Sequence, residues 1–333
     1  MIKKALVTGA AGFIGAHVVA DLLKNTDASV RALIRPGEDE SNLDGMDVEK
    51  VYGDILDKDS VNKAMKGIDT LFHLAAVYAI WMPDYRPLFE INIQGSRNIL
   101  WAARDNNVKK VVYTSSIAAL GVHKGKTSSD ENTLFNQYGL CHPYVLSKYL
   151  SQQEALDFAE KGLDLVVVNP AFPFGEKDRV PTPTGKMIID IVSGLSRMKF
   201  TGGINIVDVK DVARGHVLAA QKGISGEKYI LGNKNVTMAD LNRLICRAAG
   251  IKQKRALKIP IRPLKAGAGL MTIWSDYISH KPPLATPQNI EYASNHLFVD
   301  NTKAQKELGL KLSPVEKSLV KSINWFRNNG FLK

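Results

Sequence analysis

Tyr144 and Lys148 stand four residues apart in a segment that reads as helix from Pro143 to about Lys161. At that spacing both side chains share one helix face, about one turn apart. A phenol with an ordinary pKa of about 10 is a poor acid or base near neutrality, and a neighbouring ammonium stabilises its phenolate and draws that pKa down. Such a pair suits proton transfer at an oxygen atom. A tyrosine and a lysine at this spacing are also common on ordinary helices. Whether the pair does chemistry depends on what else the chain brings to it.

The first half of the chain alternates strand and helix cues, the pattern of a parallel sheet covered on both faces. Strands read at Lys4–Thr8, Ser29–Ile34, Val48–Tyr52, Thr70–Leu74, Lys110–Ser115 and Leu163–Asn169. Helices read at Phe13–Lys24, Asp59–Met65, Pro87–Asn106 and Pro143–Lys161. The runs Leu71–Ala76 and Val111–Tyr113 are apolar nearly throughout, as strands buried on two faces should be. The expectation is an α/β, doubly wound, Rossmann-like sheet whose ligand lies at the carboxyl ends of the strands. After Pro170 the rhythm changes: Pro173, Pro181 and Pro183 with Gly175 and Gly185 mark irregular chain. Helices follow near Met187–Ser196, Val209–Gln221, Met238–Ala249, Leu264–Ile278 and Pro314–Asn328, with a strand at Asn205–Val207. Residues 1–170, joined by late elements from about 204–231, are expected to form the cofactor domain. Residues 171–203 and 232–333 are expected to form a smaller substrate-binding region that does not fold alone.

Thr8-Gly9-Ala10-Ala11-Gly12-Phe13-Ile14-Gly15 follows the first strand and opens the first helix. Glycines there permit a tight turn, close approach of backbone to a pyrophosphate, and close helix–strand packing. The helix amino terminus adds unsatisfied N–H groups and a positive dipole end. Strand, glycine loop and helix together read as a dinucleotide site. About twenty residues past Gly15 a carboxylate would hold the ribose 2′-hydroxyl of NAD, but the chain has Arg35 there and no carboxylate until Glu38. An arginine pairs with a 2′-phosphate, so NADP(H) is expected over NAD(H), with Arg31 in a supporting part. Asp54, in Tyr52-Gly53-Asp54-Ile55, is placed to reach the adenine.

Composition narrows the partners. No stretch reaches the roughly 18 apolar residues that span a bilayer, and the short apolar run at the start leads straight into the glycine loop, so no signal peptide is expected. The two cysteines, Cys141 and Cys246, are far apart, which fits a reducing cytoplasm without disulfides. The histidines lack HxxxH or HExxH pairing, so no metal site is expected. The net charge of +11 is spread along the chain with no nucleic-acid module, and Lys252, Lys254, Arg255 and Lys258 form its densest cluster. Solvated surface plus an anionic cofactor accounts for it, and a coenzyme A-type substrate carrier stays open.

TGxxGxxG, the strand-end Leu74-Ala75-Ala76, the pair Ser115-Ser116, YxxxK and the NxxGxxN helix at Asn92 occur in order, and the chain thereby resembles the extended short-chain dehydrogenase/reductases. Asp300-Asn301-Thr302-Lys303-Ala304 and Glu307-Leu308-Gly309 resemble the usual ending of that family. Val30–Pro36 is similar to the NADP-binding strand of the dihydroflavonol-reductase-like branch. Tyr78–Pro83, Asn169-Pro170 and Pro181–Gly185 resemble hopanoid-associated sugar epimerases, whereas Val77 and Glu176-Lys177-Asp178 depart from that group's AD and GPRD. The resemblance implies that Tyr144 exchanges the carbonyl or alcohol proton and that Lys148 holds the nicotinamide ribose. Ser116, five residues before Gly121, would hold the carbonyl oxygen. Asn92 would hold a cofactor-side hydrogen-bond network or serve the helix alone. Ile55, Leu74, Ala75, Ala76 and Pro170 join the expected cofactor contacts. Tyr78, Trp81 with Met82, Asn169, Phe172 and Phe174 join the expected substrate side, an apolar and aromatic rim. Three functions stay open: NADPH-dependent reduction of a hydrophobic aldehyde or ketone, nucleotide-sugar epimerisation or dehydration with retained cofactor, and dinucleotide sensing without turnover. The resemblance also implies a homodimer built on the helices carrying Asn92 and Tyr144.

Overall fold

The computed structural model describes residues 2–79, 81–195, 198–199, 201–253, 257–258 and 260–332. Ile80 and the Lys254-Arg255 part of the basic cluster lie outside them. Strands β1 (Lys4–Thr8), β2 (Ser29–Ile34), β3 (Glu49–Tyr52), β4 (Thr70–His73), β5 (Lys110–Thr114) and β6 (Leu165–Pro170) match the expected six within two residues at each end. They join a seventh strand in one parallel sheet, in the order Lys228–Leu231, β6, β5, β4, β1, β2, β3. All six residues of β6 are buried because helices cover both faces, which is why Leu165-Val166-Val167-Val168 shows no alternation. The seventh strand was not foreseen. Its run Lys228-Tyr229-Ile230-Leu231, bounded by Gly226 and Gly232, is too short to stand out among helices.

Helix α1 (Phe13–Asn25) packs on one face beside α7 (Val209–Lys222). On the other face lie α2 (Lys58–Met65), α4 (Ser96–Asp105) and α5 (Pro143–Glu160). The helix expected unbroken over Pro87–Asn106 is instead a short α3 (Arg86–Phe89), a π-turn over Glu90–Gly95, and α4. Gly95 lies where that segment crosses the strand end, since an added Cβ would stand 2.5 Å from Ile55 Cδ1. Pro143 opens α5 at its first turn, where its missing N–H costs nothing.

The smaller region has its own sheet: β7 (Phe172–Phe174), β9 (Gly203–Asp208), β11 (Lys234–Thr237) and β13 (His296–Leu297), with β9 central. Two-residue strands β8 (Met198–Lys199) and β12 (Leu257–Lys258) pair nearby, and Lys228–Leu231 is β10. Helices α6 (Pro183–Val192), α8 (Met238–Ala249) and α11 (Val315–Asn328) bury a separate apolar cluster with β9. Two more helices, α9 (Ile261–Trp274) and α10 (Pro287–Ser294), pack on each other. Arg31 is buried, with its guanidinium donating to the carbonyls of Ala64 and Lys66 at the end of α2 and pairing with Glu49. It caps a helix and does not support a cofactor.

Candidate active site

A cleft of about 500 Å³ runs along the carboxyl edge of the large sheet. The loops after β1 to β6 all contribute to it, as the alternation predicts. At one end Gly9, Gly12, Phe13, Ile14 and Gly15 line the floor. Gly9 has φ +65°, and a Cβ there would stand 2.9 Å from Ala75 N. A Cβ on Gly15 would stand 2.0 Å from Gly9 O. No side chain caps the amino terminus of α1, so its first N–H groups open toward the cleft. The residues present therefore fit the pyrophosphate of a dinucleotide. Arg35, exposed at the end of β2, also lines the cleft, and its guanidinium has no partner among the described residues. Glu38 stands beside it and accepts the Arg35 backbone N–H at 3.2 Å. Asp54, Ile55, Leu74, Ala75, Ala76 and Pro170 line the same cleft.

Ser116, Tyr144 and Lys148 come together at the middle of this cleft. Ser116, two residues past the end of β5, caps a short 3₁₀ turn, its Oγ accepting the Ala118 N–H at 3.1 Å, and it hydrogen-bonds Tyr144. Burial pushes the Tyr144 phenol up to about 12, against the opposing pull of Ser116. Lys148 is buried, its Nζ donates to Thr114 O at 3.1 Å, and burial brings its pKa down to about 8. The expected depression of the phenol by its neighbour is thus reversed here, because removal from water outweighs the hydrogen bond with Ser116. A phenol held this high is fully protonated at neutral pH. It carries a proton to give, as a weaker acid than an ordinary phenol.

Asn92 does not line the cleft. It is buried in the π-turn, where its Oδ1 accepts the Val77 N–H at 2.7 Å and its Nδ2 donates to Val77 O and Ser147 Oγ. Its amide clamps the chain that follows β4. A second buried network, not foreseen, runs beneath it. Thr8 Oγ1 accepts the N–H groups of Leu74 and Ala75, so its own proton goes to His73 Nδ1 at 2.8 Å. That assigns the His73 proton to Nε2, which donates to Ser96 Oγ at 2.9 Å, and Ser96 donates in turn to Asn92 O. Burial, followed by the charge of Lys148, lowers the His73 pKa to about 3, so the ring stays neutral. The near-continuous apolar run Leu71–Ala76 marks His73 only as a strand residue, and the pairing of β1 with β4 shows its partners.

The expected substrate side divides. Tyr78 and Phe172 line the cleft, and the Tyr78 ring meets Tyr144 edge-on at 4.6 Å between centroids. Phe174 does not: two residues further along β7, it is buried in the apolar cluster of the smaller region, against which Phe172 is only partly buried. Asn169 is fully buried, and its Nδ2 donates to Ser116 O and Gln152 Oε1, so it steadies the serine loop from behind. Trp81 and Met82 line a separate cavity of about 320 Å³, where Trp81 Nε1 donates to Asp276 Oδ1 at 2.7 Å. In their place the cleft takes Val77, Ile91, Thr182, Pro183, Thr184 and Tyr292. Tyr292 arrives on α10, far along the chain, and no local signal marked it.

Residues 5–232 match the NAD dependent epimerase/dehydratase family. The chain belongs to that family. Over 335 aligned residues it is 35% identical to a Synechocystis protein provisionally named dihydroflavonol 4-reductase, covering 98% of this chain and 95% of the relative. It is 32% identical to sterol demethylase protein B of Methylococcus capsulatus, covering 98% and 99%. A dTDP-glucose 4,6-dehydratase from Streptomyces venezuelae, solved with NAD, shares the fold with a TM-score of 0.80 at 22% identity over 98% of both chains. As a member of the family the chain is an NAD(P)-dependent oxidoreductase with a Rossmann-like sheet.

Proposed function

We propose that this protein is an NADPH-dependent reductase that converts a hydrophobic aldehyde or ketone to an alcohol. The lining of the cleft carries the reading. Its charged members are Arg35, Glu38, Asp54 and Lys148, and beyond Lys148 the wall is made of Val77, Tyr78, Ile91, Phe172, Pro173, Pro183 and Tyr292, with Thr182 and Thr184 as uncharged polar members. A nucleotide-sugar diphosphate would leave its charges unpaired there, whereas an apolar carbonyl gains by losing water. When bound, the nicotinamide supplies the hydride. Ser116 and Tyr144 orient the carbonyl oxygen by hydrogen bonds, and Tyr144, protonated at neutral pH, gives its proton to that oxygen. Lys148, held on Thr114 O, would turn its remaining N–H groups to the cofactor ribose, and its positive charge would offset the phenolate until a proton from solvent restores the phenol. Arg35 selects the 2′-phosphate.

Absorbance at 340 nm tests the reading. A panel of hydrophobic aldehydes and ketones should consume NADPH stoichiometrically, and an absence of consumption across the panel would sink it. Epimerisation or dehydration with retained cofactor leaves no net change at that wavelength. We also propose the two-part division given above, with β10 completing the cofactor domain. A homodimer on α4 and α5 is supported by the exposed Trp101 and Leu150 on those helices, and light scattering that reports a monomer would remove it. A cytoplasmic location is supported by the free thiols Cys141 and Cys246.

A further inference from the structure

The most exposed apolar surface among the described residues is one face of α9 and the π-turn Ser275–Ser279 that prolongs it. Leu270, Ile273, Trp274, Tyr277 and Ile278 follow the i, i+3, i+4, i+7, i+8 spacing of a single helix stripe, and each is more than half exposed. Leu284, six residues further along the chain, is 92% exposed. Ala268 and Ser275 are the residues of this stretch that face inward and are buried. Scattered exposed apolar residues need no explanation, but a continuous stripe with indole and phenol at its centre does.

Charge identifies what covers it. Between Lys252 and Lys281 the chain carries seven lysines and arginines and a single acid, Asp276. Asp276 is engaged by the Trp81 indole, and Lys265 is paired with Glu291, which leaves Arg262 and Lys281 at the two ends of the exposed stripe without a partner among the described residues. An apolar stripe bearing Trp and Tyr, flanked by cations, is the pattern of a helix that lies in a membrane interface. No helix among the described residues is long and apolar enough to cross a bilayer, so this one would lie on the surface.

We propose that the α9 face docks this protein on an anionic bilayer. Two structural links tie the docked face to the site: α9 packs on α10, which carries Tyr292 into the cleft, and Asp276 holds Trp81 of the loop after β4. The membrane would therefore lie against the outer side of the wall that encloses the substrate. Delivery of an apolar carbonyl from the lipid is a consequence that rests on the reductase reading; the docking itself does not.

Sedimentation of the purified full chain with vesicles tests the docking. Phosphatidylcholine vesicles with and without about one-third phosphatidylglycerol are compared at low salt, and the anionic set should bind at least about tenfold more protein. Binding should fall severalfold in half-molar salt and be lost in Ile273→Ser/Trp274→Ser/Ile278→Ser. Arg262→Glu/Lys281→Glu, which leaves the apolar stripe intact, gives an independent measurement should the triple variant fold poorly, and it should bind at least about tenfold less. Reduction of a water-soluble carbonyl in the same samples should be unchanged, which separates this outcome from failure of the reductase reading. Wild-type protein that ignores anionic vesicles overturns the proposal. So does binding that both variants retain. A concentration-dependent dimer that the triple variant abolishes, with no vesicle binding, would assign the face to a second copy of the chain and overturn the proposal equally.

Discussion

Replacing Lys148 by methionine should make the protein inactive and more stable at once. The ammonium is buried and its pKa falls from 10.5 to about 8, with burial as the cause. At about 1.4 kcal/mol per unit, keeping that charge in the folded state costs roughly 3 kcal/mol. The hydrogen bond to Thr114 O offsets on the order of 1–2 kcal/mol, and methionine fills nearly the same volume without it. The net expectation is a gain of about 1–2 kcal/mol at pH 7, worth roughly 1.5–3 °C for a chain of 333 residues. The pH dependence is the sharper test. Below about pH 8 the lysine is protonated in both states and the full cost is present. Between about 8 and 10.5 the unfolded chain still holds a proton that the native protein has released, so wild-type stability rises with pH. The advantage of Lys148→Met should therefore shrink across that window and turn into a deficit of about 1–2 kcal/mol above it, where only the lost hydrogen bond remains. Thermal melts of both proteins at pH 7 and pH 10.5, with turnover measured alongside, decide the matter. A variant less stable than wild type at pH 7, or an advantage independent of pH, would refute the reasoning.

Three further outcomes follow from the cleft. Tyr144→Phe should lower kcat by about 100-fold or more while leaving NADPH affinity near wild type, since the ring is kept and only the proton is lost; full turnover would remove the acid from the mechanism. Arg35→Ala should raise the KM for NADPH by tenfold or more, and that for NADH little, as expected for loss of a charge-assisted pair of about 1.5–3 kcal/mol. Equal effects on the two coenzymes would count against a 2′-phosphate contact. Gly15→Ala puts a Cβ at 2.0 Å from Gly9 O, so it should abolish dinucleotide binding in a fluorescence titration, and retained binding would mean that the loop yields more than its packing suggests.

Where local physics was sufficient, the sequence was legible. Six of the seven strands of the large sheet and the glycine turn follow from apolar runs and from what a backbone without Cβ permits. Ser116, Tyr144 and Lys148 were readable because family order and spacing carried them. The unbroken helix at Pro87–Asn106 failed because the π-turn is imposed from outside: Asn92 must clamp Val77, and Gly95 must pass Ile55. Phe172 and Phe174 illustrate a different limit. Alternation puts residues two apart on the same side of a strand, and only the tertiary structure shows that Phe172 reaches the cleft while Phe174 is buried in the apolar cluster. Trp81 was sent to the wrong cavity because its partner, Asp276, lies 195 positions along the chain.

By itself the sequence determined that this protein has a parallel sheet with a nucleotide loop, and that a phenol, an amine and a hydroxyl lie along the strand ends, since each of these depends on neighbours a few residues away. The tertiary structure decided the charge states and the company those groups keep. Burial raises Tyr144 and lowers Lys148, when spacing alone argued for a depressed phenol. It also brought Tyr292 to the cleft and turned the α9 stripe to the outside. Desolvation and long-range packing depend on which elements come to lie against one another, and no window of sequence contains that.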